Sequence, residues 1–270
     1  MVEKGEVSIE QGSVAYLEAG SGPATLVLIH GNSMAKECYL HQLESELTDA
    51  YRVIAIDLPG HGETKCSGKN HYTVPGVKSI LKETIRKLDT GKCILLGHSL
   101  GGHIAIEAAG DMPDVCGVMA WGTPPLTYAD TGQSPFNEHP AMALIFSDNL
   151  RESDIFTLSG AFWNKTSDPP AEIAEQIMNT DPGFRAALSE SISSGEWEDE
   201  LKAIASLNFP VALGIGENDE LINRTYIQNV AEAYIWEKKL HIFPAAGHSP
   251  HMEHPDAFNT WVGEYGKQIG

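Results

Sequence analysis

The sequence predicts an α/β fold in which helices cover both faces of a mostly parallel sheet, with one helical insertion. Short apolar runs without polar alternation recur along the chain, as expected for strands that are covered on both faces. Segments with helical spacing separate these runs, as in a doubly wound sheet. After Trp121 the alternation stops, and residues 124–207 read as a series of helices. A structureless loop of that length is uncommon in a compact domain.

The individual elements follow from local patterns. Residues 6–18 alternate apolar and polar around a Gln-Gly pair, which predicts an antiparallel hairpin at a sheet edge. Parallel strands are predicted at the apolar runs 25–30, 52–57, 92–97, 118–121, 210–214 and 240–243. Helices are predicted at 75–89, 100–109, 140–146, 152–163, 171–179, 184–193 and 197–207.

These elements predict a single domain with an insertion. A chain of 270 residues is long enough to bury one large core. We expect residues 1–123 and 208–270 to form this core. Residues 124–207 are expected to form a helical cap above it, and this range is called the cap below.

The chain is strongly acidic, with 18 Lys and Arg against 37 Asp and Glu and a net charge of −19. This charge repels nucleic-acid phosphates and anionic lipids, so neither partner is expected. No apolar run reaches the roughly 18 residues that a membrane span needs. The first residues, MVEKGEVSIE, lack the apolar stretch of a signal peptide, and the cysteines have no paired spacing. We therefore expect a cytoplasmic protein with reduced thiols at Cys38, Cys66, Cys93 and Cys116.

A candidate nucleophile lies between a predicted strand and a predicted helix. Gly97-His98-Ser99-Leu100-Gly101 fits the pattern G-x-S-x-G in the strand-to-helix context that this pattern requires. Such a turn holds the serine in a strained backbone conformation, and the glycines remove β-carbons that would clash. The helix N-terminus directs backbone N–H groups toward a developing oxyanion. The alternative is a glycine-rich turn that only ends a strand.

A serine nucleophile needs a base, and the base needs an acid that orients it. In this architecture the chain order is Ser, then Asp or Glu, then His, and each partner follows a later strand. Asp219 follows the last strand but one, and His248 follows the last strand. We predict Asp219 as the acid and His248 as the base. Glu217 and Glu220 flank Asp219 and are the alternative acids.

The predicted oxyanion hole uses two backbone N–H groups. The tetrapeptide HGNS at 30–33 follows the first parallel strand, where one donor is expected. The N–H groups of Asn32 and Leu100 are the predicted donors. The alternative is that HGNS is an ordinary turn. Asp57 also ends a strand, but it precedes the serine in the chain and is predicted to have a structural role.

A metal site is not predicted. His248, His251 and His254 recur every three residues, a spacing that suits ligands on one helix. Pro250 lies between the first two and weakens a continuous helical face. His251 and His254 are expected at the surface. The chemistry predicted from Ser99 needs no cofactor.

Several segments together resemble the α/β-hydrolase superfamily along nearly the whole chain except the cap. They are HGNS (30–33), RVIAIDLPGHG (52–62), GHSLGGH (97–103), GEND (216–219) and AGHSP (246–250). Within this superfamily, HGNS, SLGGHIAIE, WGTPP and AGHSPHMEHPDAF are most similar to the metal-independent N-acyl-homoserine lactone lactonases. The resemblance implies the nucleophile at Ser99, the base at His248 and the acid at Asp219. A lactonase of that group has glutamate at the acid position, so Asp219 is a conservative departure.

The implied activity is hydrolysis of an ester or lactone of a small acyl substrate. The resemblance favours opening of the N-acyl-homoserine lactone ring, which is quorum quenching. Alternatives are a carboxylesterase, a carbon–carbon bond hydrolase, and a ligand receptor that keeps the triad. Either a monomer or a homodimer is compatible with the sequence.

The cap supplies candidate substrate-binding residues. Its apolar side chains are predicted to line an acyl tunnel above the serine, unless they form the core of the cap itself. The candidates are Met142, Ile145, Phe146, Phe156, Phe162 and Trp163, with Leu158 and Met178 as further members.

Overall fold

The centre of the protein is one sheet, which a computed structural model describes within residues 1–269. Its eight strands in that range are β1 (Glu3–Ile9), β2 (Gly12–Ala19), β3 (Ala24–Ile29), β4 (Tyr51–Ile56), β5 (Cys93–His98), β6 (Val115–Trp121), β7 (Val211–Gly216) and β8 (His241–Phe243). Their order across the sheet is β1-β2-β4-β3-β5-β6-β7-β8. The β1–β2 and β2–β4 pairs are antiparallel, and the other pairs are parallel. The predicted edge hairpin and the predicted parallel strands are confirmed.

The continuous apolarity of the parallel strands arises from two hydrophobic cores, one on each face. Successive side chains of a strand point to opposite faces. Along β3, Val27 and Ile29 therefore join one core, whereas Leu26 and Leu28 join the other. All four side chains are fully buried. The strand consequently needs apolar residues at every position rather than at every second one.

Helices cover both faces of the sheet. They are α1 (Leu40–Leu43), α2 (Leu47–Ala50), α3 (Val74–Lys87), α4 (Leu100–Ala109), α5 (Ala141–Leu144), α6 (Glu152–Ala161), α7 (Ala171–Asn179), α8 (Pro182–Ser193), α9 (Glu200–Ser206), α10 (Arg224–Tyr234), α11 (Pro250–Glu253) and α12 (Pro255–Ile269). Residues of α3 and α4 join one core, and Phe258 and Trp261 of α12 join the other. The helices predicted at 75–89 and 100–109 are confirmed as α3 and α4.

The chain between β6 and β7 contains α5 to α9, where the sequence predicts the helices of the cap. Capping residues explain two helix starts that differ from the prediction. α8 begins at Pro182, earlier than predicted, since the Asp181 carboxylate accepts a hydrogen bond from the Gly183 N–H at 2.8 Å. α9 begins only at Glu200, since Asp199 caps it by accepting from the Lys202 N–H at 3.1 Å.

Asp57, at the end of β4, holds two loops together. Its buried carboxylate accepts hydrogen bonds from the Lys36 N–H at 2.8 Å and from the Glu63 N–H at 2.9 Å. The Lys36 ammonium group, whose side chain is only 1% exposed, lies 2.8 Å from the same carboxylate. Asp57 therefore has the structural contacts that the sequence predicts for it, and it links the loops after β3 and β4.

Each of the four cysteines in the described chain is a free thiol. Burial raises the pKa of the Cys38 thiol well above its usual range, which favours the uncharged form.

Across residues 1–269, none of the helices combines the length and apolarity needed to cross a membrane.

We expect Asp57→Ala to lower the free energy of unfolding by about 3–5 kcal/mol, because the Lys36 ammonium group loses its fully buried partner and two backbone N–H groups lose their acceptor. Urea denaturation measures this change. Asp111→Ala is the matched control, because Asp111 pairs with Lys82 at the surface and its side chain is 68% exposed. An exposed pair contributes at most about 1 kcal/mol. Equal losses for the two variants would contradict the structural role of Asp57.

Candidate active site

Ser99 occupies a strained turn between β5 and α4. Its backbone angles, φ 50° and ψ −116°, lie outside the regions that non-glycine residues favour, at a cost of about 1–3 kcal/mol. Hydrogen bonds hold this conformation. The Ser99 N–H donates to the Trp121 carbonyl at 2.9 Å, and the Ser99 carbonyl accepts from the Gly102 N–H at 2.9 Å and the Thr123 hydroxyl at 3.0 Å. The turn fixes the position of the serine before any ligand arrives.

Two glycines let α4 approach the sheet closely behind this turn. A β-carbon at Gly97 would lie 2.4 Å from the Gly101 carbonyl oxygen, and one at Gly101 would lie 2.2 Å from the Ile29 carbonyl oxygen. Both distances are too short for any side chain. The glycines of the G-x-S-x-G pattern are thus required by packing.

His248 and Asp219 form a buried pair. The His248 Nδ1–H donates to Asp219 Oδ2 at 2.7 Å, and the two side chains are 2% and 0% exposed. The other carboxylate oxygen, Oδ1, accepts from the Leu221 N–H at 2.9 Å and the Ile222 N–H at 3.3 Å. Both oxygens of Asp219 are therefore fixed. The bond through Nδ1 leaves Nε2 of His248 as the nitrogen available for other contacts.

The two alternative acids are engaged elsewhere. Glu217 accepts a hydrogen bond from the Ala245 N–H at 3.0 Å. Glu220 pairs with Lys165 at 2.6 Å near the surface. Within residues 1–269, neither of them contacts His248. Among the three carboxylates that the sequence leaves open, the structure brings Asp219 to the histidine.

The prediction that His251 lies at the surface is wrong. His251 is fully buried, and its Nδ1 accepts a hydrogen bond from the Trp121 indole N–H at 3.1 Å. The short helix α11 turns this side chain inward against Tyr39 and His98. Burial lowers the pKa of His251 to about 3, so the ring is neutral. His254 is exposed, as predicted.

Ser99, His248 and the two predicted oxyanion donors line one cavity of about 230 Å³. Leu100 is the first residue of α4, so its N–H has no acceptor within the helix. The Asn32 N–H likewise has no acceptor among residues 1–269. The arrangement combines a hydroxyl, an imidazole and two free N–H groups, which are the groups that nucleophilic acyl transfer needs.

The cap supports the loop that carries Asn32. The Asn32 side-chain amide donates to the Ile145 carbonyl at 2.9 Å. The next residue, Ser33, has a positive φ of 65°, and its hydroxyl accepts from Arg185 Nε at 2.9 Å. Arg185 belongs to α8 and is only 3% exposed. The position of one predicted oxyanion donor thus depends on contacts from the cap.

Three of the predicted substrate-binding residues, Met142, Ile145 and Phe146, line the cavity. Further apolar lining that the sequence analysis missed comes from Leu188, Ile192 and Trp197 of the cap and from Leu221 and Ile222. The spacing of apolar residues in the sequence does not distinguish those that line the cavity from those that are buried elsewhere.

The structure does not bring the other three candidates to the cavity. Phe156 is 78% exposed, because the buried face of α6 runs through Leu158 and leaves Phe156 on the opposite side. Phe162 is buried in the core, with its ring centre 6.0 Å from that of His248. Trp163 is half-buried, and its indole N–H donates to the Ser167 hydroxyl at 3.0 Å.

The cavity wall also contains polar groups that the sequence analysis missed: His103, Glu107 and Glu200. His103 Nδ1 lies 2.8 Å and 3.0 Å from the two carboxylate oxygens of Glu200. Lys78 Nζ lies 3.1 Å from Glu107. Burial, with the nearby charge of Glu200, raises the pKa of Glu107 to about 7, although Lys78 opposes the shift. His103 and Glu107 follow Ser99 at helical spacing, which is the signal that could have found them.

Solved structures of an N-acyl homoserine lactonase, AidH, are similar to this chain over its whole length. The AidH structure complexed with N-hexanoyl homoserine is 29% identical, with a TM-score of 0.91 over 100% of this chain and 98% of that one. The complex with N-butanoyl homoserine gives the same score and identity over 99% and 97%. An esterase from Thermogutta terrifontis is 22% identical, with a TM-score of 0.78 over 99% of each chain, and it shows the fold alone.

The chain is also similar to hydrolases of dienedioate and trienedioate compounds. A 2-hydroxy-6-oxononadienedioate/2-hydroxy-6-oxononatrienedioate hydrolase from Pseudomonas putida is 26% identical over 93% of this chain and 90% of its own length. The corresponding hydrolase from Escherichia coli is 26% identical over 92% and 89%.

The family model described as the alpha/beta hydrolase family matches residues 26–261. This range covers the cap and the parallel strands, apart from the first two residues of β3. A mostly parallel sheet flanked by helices is the architecture of the alpha/beta hydrolase fold. The chain therefore belongs to the alpha/beta hydrolase family.

Proposed function

We propose that this protein is a serine hydrolase that opens the lactone ring of N-acyl-homoserine lactones. The proposed roles are nucleophile for Ser99, general base for His248 and orienting acid for Asp219. The N–H groups of Asn32 and Leu100 form the oxyanion hole. Opening the ring inactivates a quorum-sensing signal, so the proposed biological role is quorum quenching.

The first half of the reaction forms an acyl-enzyme. The Ser99 hydroxyl oxygen attacks the lactone carbonyl carbon while His248 Nε2 takes its proton. The oxygen of the former carbonyl group becomes negatively charged and accepts hydrogen bonds from the N–H groups of Asn32 and Leu100. Asp219 stabilises the imidazolium of His248. The bond from the carbonyl carbon to the ring oxygen then breaks, and His248 returns the proton to that oxygen. The product is an ester of Ser99 that carries a free hydroxyl.

The second half releases the product. A water molecule attacks the ester carbonyl as His248 takes a proton from it. The bond to Ser99 breaks, and His248 protonates the serine oxygen. The opened N-acyl-homoserine leaves, and the enzyme returns to its starting state. All steps use groups of the chain and water.

The observation that carries the substrate class is the charge of the cavity wall. Along the described chain, the cavity is lined mainly by apolar side chains, and neither Lys nor Arg is among them. Its titratable groups apart from His248 are His103, Glu107 and Glu200. An uncharged substrate with an apolar tail suits such a wall. The similarity to AidH, at 29% identity over nearly the whole of both chains, supports the same class.

The second candidate is hydrolysis of a carbon–carbon bond, which the 26% identity to the dienedioate hydrolases favours. A dienedioate has two carboxylates, and these need cationic partners or hydrogen-bond donors where they are buried. In the part of the chain that the structure describes, the cavity wall has neither Lys nor Arg, and its one cationic group, His103, is already paired with Glu200, so the wall lacks partners for two buried carboxylates. We therefore place this reaction second.

The substrate proposal is tested by proton release with N-acyl-homoserine lactones, p-nitrophenyl esters and a 2-hydroxy-6-oxo-dienedioate, all in the presence of EDTA. We expect rapid opening of the lactones, slower hydrolysis of the esters and no cleavage of the dienedioate. The result would be independent of EDTA because the proposed steps use no metal. Cleavage of the dienedioate alone would contradict the proposal.

We expect Ser99→Ala to lower kcat by about 10⁴-fold or more, because the nucleophile is lost while the oxyanion hole remains. The unfolding midpoint should stay close to that of the wild type. Ser193→Ala is the matched control, since Ser193 is exposed on α8. Residual activity above a hundredth of the wild type would exclude Ser99 as the nucleophile.

We expect Asp219→Asn to lower kcat by about 10³ to 10⁴-fold through the tautomer of His248. The backbone N–H groups at Leu221 and Ile222 retain the amide oxygen at the Oδ1 position. The amide NH₂ then faces Nδ1, which must accept a hydrogen bond, so Nε2 carries the proton and cannot take another. Glu217→Gln is the control, because glutamine can still accept from the Ala245 N–H. Steady-state kinetics that change equally in both variants would contradict the role of Asp219.

A further inference from the structure

The cavity contains a second histidine–carboxylate pair, His103 and Glu200, which the proposed reaction does not use. Both residues line the same cavity as Ser99. Ser99 directly precedes α4 with a non-helical backbone, and its carbonyl accepts a hydrogen bond from the His103 N–H at 3.3 Å, so His103 lies in the first turn of the helix. A ligand that reacts at Ser99 therefore shares its cavity with His103.

Glu200 fixes the orientation of the His103 ring. Its carboxylate is fully buried and also accepts a hydrogen bond from the Leu126 N–H at 2.7 Å. It lies 2.8 Å and 3.0 Å from His103 Nδ1, so it accepts the Nδ1 proton. This bond commits one ring nitrogen to the protein. Nε2 remains for a ligand.

The surrounding charges favour the protonated form of His103, in which both ring nitrogens are donors. Burial alone lowers the pKa of His103, but the charge of Glu200, its hydrogen bond and the charge of Glu107 outweigh burial and raise that pKa above its usual value. Lys78 faces Glu107. The protonated imidazole has N–H groups at both nitrogens, so Nε2 offers a proton to an acceptor in the cavity.

We infer that His103 is a specificity-determining residue that donates a hydrogen bond to a carbonyl oxygen in the acyl part of the substrate. The amide oxygen of an N-acyl-homoserine lactone is such an acceptor, roughly four covalent bonds from the scissile carbon. The ligand class is thus an uncharged ester or lactone with a second carbonyl oxygen at that place. The inference rests on the proposed attack by Ser99.

The test compares two esters of equal chain length, p-nitrophenyl 4-oxopentanoate and p-nitrophenyl pentanoate. Only the first has a carbonyl oxygen at the required place. We expect the wild type to favour the oxo ester in kcat/KM by about tenfold or more, as for a hydrogen bond to a charged donor. A wild-type ratio near one overturns the inference, and this measurement does not depend on the folding of a variant.

Variants then separate recognition from a structural role. We expect His103→Leu to reduce the ratio of the two kcat/KM values to near one, and His103→Gln to retain part of it because its amide can donate. If His103 only stabilises Glu200, both esters lose activity equally and the ratio stays at the wild-type value, which overturns the inference. His41→Leu is the matched control, since His41 is exposed on α1 and does not line the cavity.

The outcome also distinguishes this inference from the lactonase proposal. A preference for the oxo ester that depends on His103, without opening of N-acyl-homoserine lactones, overturns the lactone substrate and supports the role of His103. Opening of the lactones without any preference for the oxo ester overturns the role of His103 alone. No hydrolysis of either ester or of the lactones overturns both.

Discussion

The strained backbone of Ser99 is the constraint on which the site depends. A residue at φ 50° and ψ −116° persists only if its surroundings favour that conformation over a relaxed one. The carbonyl of Trp121 and the hydroxyl of Thr123 bind it from the neighbouring strand β6 and the residues that follow. Gly97 and Gly101 allow α4 to lie against the sheet without a clash. Sheet packing therefore determines where the hydroxyl lies, and the other groups of the site are positioned relative to it.

Much of this arrangement could be predicted from the sequence because it depends on local patterns and on topology. Continuous apolar runs identified the parallel strands, and the carboxyl ends of parallel strands meet at one edge of a sheet. Ser99, Asp219 and His248 each follow such a strand, so their proximity follows once the strands are known. The sequence does not decide which of Asp219, Glu217 and Glu220 is the acid that orients His248. These residues lie so close together in one loop that they differ only in where their side chains point.

The parts that the sequence did not predict depend on how separate elements pack. Phe146 and Phe156 are equivalent in a list of apolar residues, yet one lines the cavity and the other is exposed. The orientation of the cap helices decides between them. His251 is buried because α11 packs against the rings behind the site, a contact that local spacing does not reveal. The spacing from Ser99 could have identified His103 as a residue of the cavity wall. Glu200 could not be identified in this way, because it contacts His103 from a helix that is distant in the sequence.

The two histidine–carboxylate pairs of the cavity show how environment separates similar groups. The acid of the first pair, Asp219, is held by two backbone N–H groups and contacts His248 through its other oxygen. His103 lies among the carboxylates of Glu200 and Glu107, which favour its protonated form. A base must offer a lone pair, and a protonated ring has none. In the proposed roles, His103 therefore holds a carbonyl oxygen, and His248 moves a proton.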